Sequence, residues 1–209
     1  MTQPSPSQTN QASEPAYLQR RQERIRQLAA ELSDRYPSPQ RLTLEAGCGH
    51  GHFLTAFAEN HPHAQCMGVD LVSKRIRKAL NKRDKRDLNN LHFMKGSLHE
   101  WLQALPAEHA LERIFMLFPD PWPKKRHHKH RMLQPELLSA LAQRATPNCR
   151  LHFRSDHAAN FAWAVEQVVQ HPSWEIQTKE PWPFEHSSFF QELMVKYESF
   201  TAINSSPTR

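Results

Sequence analysis

From Arg41 onward the chain alternates short apolar runs with segments of helical periodicity, and no other feature constrains its fold as strongly. Arg41–Ala46, Gln65–Val69, Leu91–Lys95, Ile114–Phe118 and Arg150–Arg154 read as strands. Helical patterns fall between them. One spans His52–Asn60 and ends at His61-Pro62, and the next follows Ser73 through Ile76, Ala79 and Leu80. A short one lies near Leu98–Leu105, and another opens at Pro135 with Leu137, Leu138 and Leu141 as its inner face. A last one has Phe161, Val165, Val168 and Val169 on one face. Ser73 and Asp156 stand where side-chain caps of their helices are expected. Repeated strand–helix units predict an α/β fold, a mainly parallel sheet with helices on both faces. Ser173–Thr178 and Phe189–Phe200 have no helix pattern between them, which predicts an antiparallel pair completing seven strands.

The ends of the chain read differently. Residues 1–14 are Gln, Ser, Thr, Pro and Asn without an apolar anchor, and disorder is expected there. Residues 15–36 form an expected N-terminal helix, with Leu18, Ile25, Leu28 and Leu32 inward and Arg20, Arg21, Arg24 and Arg26 outward. Residues 37–202 make up the main domain, and 203–209 a flexible tail.

Charge narrows the partners. The net charge is +6, and 13 of the 27 Lys and Arg residues lie within Lys74–Arg86 and Lys124–Arg131. Such clustering suits a nucleic acid or another polyanion better than a uniformly solvated surface does. Cys48, Cys66 and Cys149 are isolated, and each lies in or beside an apolar run, so buried thiols in a reducing compartment are expected. No apolar stretch approaches membrane-spanning length and no signal peptide is visible, so a cytoplasmic location is expected.

Ligands of open α/β sheets bind beyond the carboxyl ends of the strands. That rule gathers the loop after Ala46, Asp70, Ser97, Pro119–Arg131 and Asp156 on one rim. Glu45-Ala46-Gly47-Cys48-Gly49-His50-Gly51 joins the first strand to its helix, and glycines at 47, 49 and 51 let a ligand lie against the backbone. The spacing is not the dinucleotide G-x-G-x-x-G, which argues against an oxidoreductase. Asp70 ends the second strand, where a carboxylate can accept hydrogen bonds from both ribose hydroxyls of an adenosine cofactor.

The rim is dominated by Leu117-Phe118-Pro119-Asp120-Pro121-Trp122-Pro123, followed directly by Lys124-Lys125-Arg126-His127-His128-Lys129-His130-Arg131. Alternate prolines forbid a helix and fix an extended path, holding Asp120 beside a cationic tract. His127, His128 and His130 lack carboxylate or cysteine company and sit among cations, so no metal site is expected.

With the glycine turn and Asp70, this stretch resembles class I methyltransferases that use S-adenosylmethionine, and the fold implied is Rossmann-like. Phe118-Pro119-Asp120-Pro121-Trp122, the basic tract and then Arg131, Gln134 and Pro135 are similar to the signature of the tRNA (guanine-N7)-methyltransferase family. The resemblance covers roughly Arg41 to Phe200. It implies methyl transfer to N7 of a variable-loop guanosine in tRNA. It assigns Glu45, Gly47, Gly49, Gly51 and Asp70 to the cofactor, with Ser97 where the family has an acid near the adenine. It assigns Asp120 to catalysis or guanine binding, and Lys124, Asp156 and Glu185 to substrate, with Lys125 and Arg126 beside them. Two departures follow: Ser97 replaces that acid, and Trp182-Pro183-Phe184-Glu185 keeps the glutamate of a Thr-x-x-Glu motif but not its threonine.

The residue types suit the reaction. N7 of guanine carries a lone pair and no proton, so catalysis rests on alignment and electrostatics, not on a strong base. A carboxylate accepts from guanine N1–H and N2–H and stabilises the charge that develops on the purine. Trp122 offers either a stacking surface for a base or a packed support under the loop. A methyltransferase of another RNA or a small molecule, and an RNA-binding relative without turnover, remain as alternatives. Monomer and homodimer are both open.

Overall fold

The computed structural model describes residues 15–186 and 196–206. The expected disordered segment 1–14 and residues 189–195 of the expected last strand lie outside the described residues. Helix α1 (Ala16–Arg35) precedes strand β1 (Arg41–Ala46), and α2 (His52–Asn60), β2 (Gln65–Asp70), α3 (Ser73–Lys85) and β3 (Leu91–Lys95) follow. Then come α4 (Leu98–Ala104), β4 (Ala110–Leu117), a 3-10 helix (Lys125–His130), α5 (Pro135–Arg144), β5 (Ala145–Ser155), α6 (Ala158–Gln170), β6 (Trp174–Gln177) and β7 (Glu198–Asn204).

The seven strands form one sheet in the order β3-β2-β1-β4-β5-β7-β6. The first five named are mutually parallel, and β7 runs antiparallel to both β5 and β6. The chain order reverses between β1 and β4, so their carboxyl ends flank the crevice where ligands of such sheets bind. The central strands are apolar on both faces, as a sheet covered on both sides requires. Leu42, Leu44, Met67, Val69, Ile114 and Met116 face the core under α1, α4, α5 and α6. Cys66, Leu91, Phe93 and Phe115 face α2 and α3, packing with Phe53, Leu54, Phe57 and Ile76.

Beyond Phe115 that second face has no helix over it among the described residues. The segment after β6 covers it instead, as Trp182 and Phe184 pack against this cluster. Strand periodicity explains how the segment is held. Arg150, His152 and Arg154 alternate onto one face of β5. Arg150 Nε donates to Glu180, His152 lies 5.4 Å from the Trp182 ring, and Arg154 donates to Glu185. The strap is thus pinned at each end by an ion pair and in the middle by an aromatic contact. His152 is fully buried, and burial with three nearby arginines pushes its pKa down to about 3.

Four sequence expectations are corrected. Ser73 does not cap α3: Val72 occupies the cap position, and its N–H is taken by the Asp70 carboxylate at 2.8 Å. Asp156 does not cap α6; His157 does, its ring accepting the Asn160 N–H. Val169 is exposed, while Ala164 and Val168 are buried, so the inner face of α6 is rotated from the expected one. The last described strand, β7, runs to Asn204, beyond the expected end at Phe200. There Asn204 is buried and its amide donates to the Thr146 carbonyl. β4 and β5 also begin earlier than their apolar runs: Leu111 pairs with Ala145 and Arg113 with Arg150, and the residues between them form an irregularity in the register.

Candidate active site

The turn after β1 packs tightly on one side and opens on the other. Gly51 has φ +69, and a Cβ there would lie 2.6 Å from Phe93 and 2.7 Å from Ala79, so only glycine fits. Gly49 has φ +54, and its missing Cβ faces open space. Gly47 lies beside Met132, just after the basic tract, so the end of the central loop meets the glycine turn.

Asp70 is buried at the end of β2. Its Oδ2 accepts Gly49 N–H at 3.0 Å and its Oδ1 accepts Val72 N–H at 2.8 Å. Arg75 lies 3.6 Å from Oδ2. Each carboxylate oxygen offers two acceptor sites, so one on each remains for a ligand. Leu71 and Val72, exposed immediately after it, give a flat apolar surface on the same rim. Ser97 stands at the cap position of α4, and its side chain makes no cap hydrogen bond among the described residues.

Glu45 is the buried acid of the site. Its Oε2 has no hydrogen-bond partner among the described residues. Burial pushes its pKa up to about 8; the Leu54 N–H it accepts opposes this, and the nearby Asp70 adds to it. A buried carboxylate with a vacant oxygen, at the base of a glycine turn, suits an incoming ammonium. Together with Asp70 and the apolar rim, this arrangement fits the amino, ribose and adenine parts of S-adenosylmethionine.

The central loop is strained and braced. Phe118 and Trp122 take positive φ values of 52° and 43°, which non-glycine residues hold only when their surroundings compel it. Arg131 supplies that compulsion. It is buried, donates to the carbonyls of Pro121 (3.0 Å) and Ala159 (3.2 Å), and lies over Trp163. Gln134 donates to the carbonyls of His128 (2.7 Å) and Arg131 (3.1 Å). Asp120 is left exposed at the tip, with Lys124, Lys125 and Arg126 exposed after it. Trp122 is 37% exposed and flanked by His127 and His130, so it does not pack beneath the loop. Among the described residues, no group of three His, Cys, Asp or Glu is placed to hold a metal ion.

The sequence-expected residues therefore gather on one rim, with two qualifications. Asp156 is exposed, directly after β5. Glu185 reaches the rim engaged with Arg154, at 2.5 Å and 3.0 Å. Sequence reasoning missed Leu71, Val72 and Arg154, and quoted Arg131 and Gln134 without a role. Only the exposure of the first two and the convergence of the others mark them. The three cysteines are free and buried, as expected. No helix among the described residues is long and apolar enough to cross a membrane.

A family model described as "Putative methyltransferase" matches residues 39–206. A curated tRNA (guanine-N(7)-)-methyltransferase of Rhodospirillum rubrum is 35% identical over 150 residues, covering 70% of this chain and 58% of its own. One of Synechococcus sp. (strain JA-3-3Ab) is 32% identical over 166 residues, covering 75% of this chain and 70% of its own. The chain thus spans less than two thirds of the first relative. Among solved structures, the aminoglycoside resistance methyltransferase NpmB1 superimposes with a TM-score of 0.57 at 15% identity, covering 84% of this chain and 93% of that one. This last likeness concerns the fold alone.

Proposed function

The chain belongs to the tRNA (guanine-N7)-methyltransferase family, and from that premise we propose that it transfers a methyl group from S-adenosylmethionine to N7 of a guanine in tRNA. The observation that carries the reading is the braced loop itself. It sets a carboxylate, Asp120, and a run of cations at the carboxyl end of β4, directly beside the glycine turn of β1.

When bound, S-adenosylmethionine supplies a sulfonium methyl group: the S–C bond breaks as the N7–C bond forms, and the positive charge passes to the purine without proton transfer. Glu45 receives the cofactor's ammonium, and Asp70 accepts from its ribose hydroxyls. Leu71, Val72 and Ser97 would hold the adenine. Asp120 faces the purine and offsets the charge that develops there, a preorganised electrostatic contribution. Lys124, Lys125 and Arg126 hold phosphates, with Asp156 beside the base. The basic face of α3, carrying Lys74, Arg77 and Lys78, extends the cationic surface along the same rim. A cytoplasmic location suits a tRNA substrate and buried free thiols.

The test is methyl transfer from labelled S-adenosylmethionine to unmodified tRNA, with product nucleosides identified by mass spectrometry. 7-Methylguanosine is the expected product. Cofactor binding with no tRNA methylation would overturn the substrate assignment.

A further inference from the structure

Arg75, Lys78 and Lys82 follow one another at three- and four-residue spacing on α3, so they share one stripe of the helix. That stripe faces the glycine turn. Lys82 Nζ donates to the His50 carbonyl at 2.9 Å, and Arg75 lies 3.6 Å from Asp70 Oδ2. Ala79, within the same span, packs against Gly51, where a Cβ would lie 2.7 Å from its own. His50 and His52 flank Gly51, with ring centres 6.3 Å apart. These five side chains line the seam between the turn and α3. Acids do not balance them. Asp70 is buried and already accepts two backbone N–H groups, and Glu59 lies 3.4 Å from Arg86. Lys78 and Lys82 have no carboxylate partner among the described residues. The imidazoles register this field. Burial, then Lys78, Lys82 and Arg75, hold the His50 pKa below its ordinary value, with Asp70 opposing. Burial, then Lys82, His50, His186 and Arg86, lower that of His52. Lys82 is itself lowered, by burial and by Lys78, Arg86 and Lys85.

A seam of like charges without acids lacks its counter-ion, and a nucleic-acid backbone supplies one as phosphate. From Arg75 to Lys82 the stripe runs about 10 Å along the helix, longer than one free phosphate and suited to successive phosphates of a strand. The Asp120 loop meets the opposite end of the turn, where Met132 packs on Gly47, so the two cationic sets bracket the cofactor site. We propose that Arg75, Lys78, Lys82, His50 and His52 form a proton-linked site for the RNA backbone, in which the two imidazoles take up protons as a phosphate docks. The proposal rests on the reading that the substrate is tRNA. Neutral imidazoles limit the repulsion within the free protein. A docked phosphate reverses the local field and favours their charged forms, which then donate to it. Because the protonated rings bind phosphate better, affinity rises as pH falls through the imidazole range.

The test follows the ring protons of His50 and His52 by NMR in the full chain, without cofactor, as pH is varied. His50→Gln and His52→Gln assign the two signals. A uridine oligonucleotide, which lacks guanine, is the first probe. Both imidazole midpoints are expected to move up by about one pH unit or more when it binds. Inorganic phosphate at the same phosphate concentration is the second probe and is expected to move them far less. An equal response to both overturns the assignment to a nucleic-acid strand. Filter binding of unmodified tRNA is then measured at fixed salt. Its affinity is expected to rise about tenfold or more between about pH 8 and about pH 6. Combining His50→Gln with His52→Gln is expected to remove most of that rise. A rise that survives the folded double variant belongs to the loop histidines and overturns the site, as do midpoints unmoved by the oligonucleotide. Should the double variant fail to fold, the wild-type titration decides alone. Methyl transfer to tRNA is measured on the same preparation. Transfer with unmoved midpoints overturns the site alone. Moved midpoints without transfer support the site and overturn the tRNA reading.

Discussion

Oδ2 of Asp70 accepts the backbone N–H of Gly49 at 3.0 Å, tying the end of β2 to the glycine turn that follows β1. Its second oxygen takes Val72 N–H, so one carboxylate shapes the turns after both strands. Asp70→Ala leaves two partly buried N–H groups without their acceptor. The expected result is a loss of about 1–3 kcal/mol of stability together with a large loss of cofactor affinity. Thermal melts and calorimetric titration with S-adenosylhomocysteine read the two effects separately. Undiminished cofactor binding would remove Asp70 from the site.

Glu45 makes stability depend on pH. Its folded pKa of about 8 lies above its ordinary 4.5. The associated stability is fully present below the lower value and is lost as pH rises through the upper one. Glu45→Gln is expected to flatten this dependence and to be the more stable protein near pH 9, by on the order of 2–4 kcal/mol. Denaturant titrations across this range check it. Because an ammonium favours the ionised carboxylate, cofactor binding near neutral pH should release protons. Calorimetry in buffers of different ionisation enthalpy measures that release, and Glu45→Gln should abolish it.

Asp120 is exposed at a loop tip, so its removal costs the fold little. Asp120→Asn is expected to lower single-turnover methyl transfer by about 10²- to 10³-fold, with cofactor affinity and melting temperature unchanged. Turnover near wild type would shift the catalytic role elsewhere on the rim.

Gln134 touches no proposed ligand, yet it holds the carbonyls of His128 and Arg131. Gln134→Ala should loosen the basic tract, raising KM for tRNA several-fold, about 1 kcal/mol of lost positioning, while cofactor binding stays intact. A change in cofactor affinity of the same size would assign Gln134 to the other half of the site.

The exposed cations of α3 and of the loop predict a steep salt dependence for tRNA binding. Removing a cation that neutralises one phosphate should reduce the slope of log K against log salt by roughly 0.7–0.9. Lys78→Ala and Lys124→Ala, measured by filter binding, are each expected to lower it by about that amount. A slope unchanged by Lys78→Ala would leave α3 a solvated helix face.

Much of this architecture is legible without coordinates, because its signals are local. The apolar run Leu91–Lys95 and the helix His52–Asn60 are bounded by glycine, proline or polar residues, and their observed limits match the pattern. The glycine turn, Asp70 and the proline-braced Asp120 each announce a backbone or charge requirement in their own neighbourhood. Caps were less legible. Ser73 and His157 differ in role because Asp70, fixed by a distant turn, already satisfies an N–H at the start of α3.

The sequence by itself determined the layered α/β sheet, the rim on which the ligands meet and the family to which the chain belongs. Periodicity, turn residues and a specific motif are properties of short stretches. Only the tertiary structure decided which side chains share a partner. Arg131 braces Pro121 and Ala159 across 10 and 28 residues, and Arg154 holds Glu185 across 31. A buried guanidinium is stable only where the fold brings acceptors to it, and those acceptors lie at separations that no local pattern records.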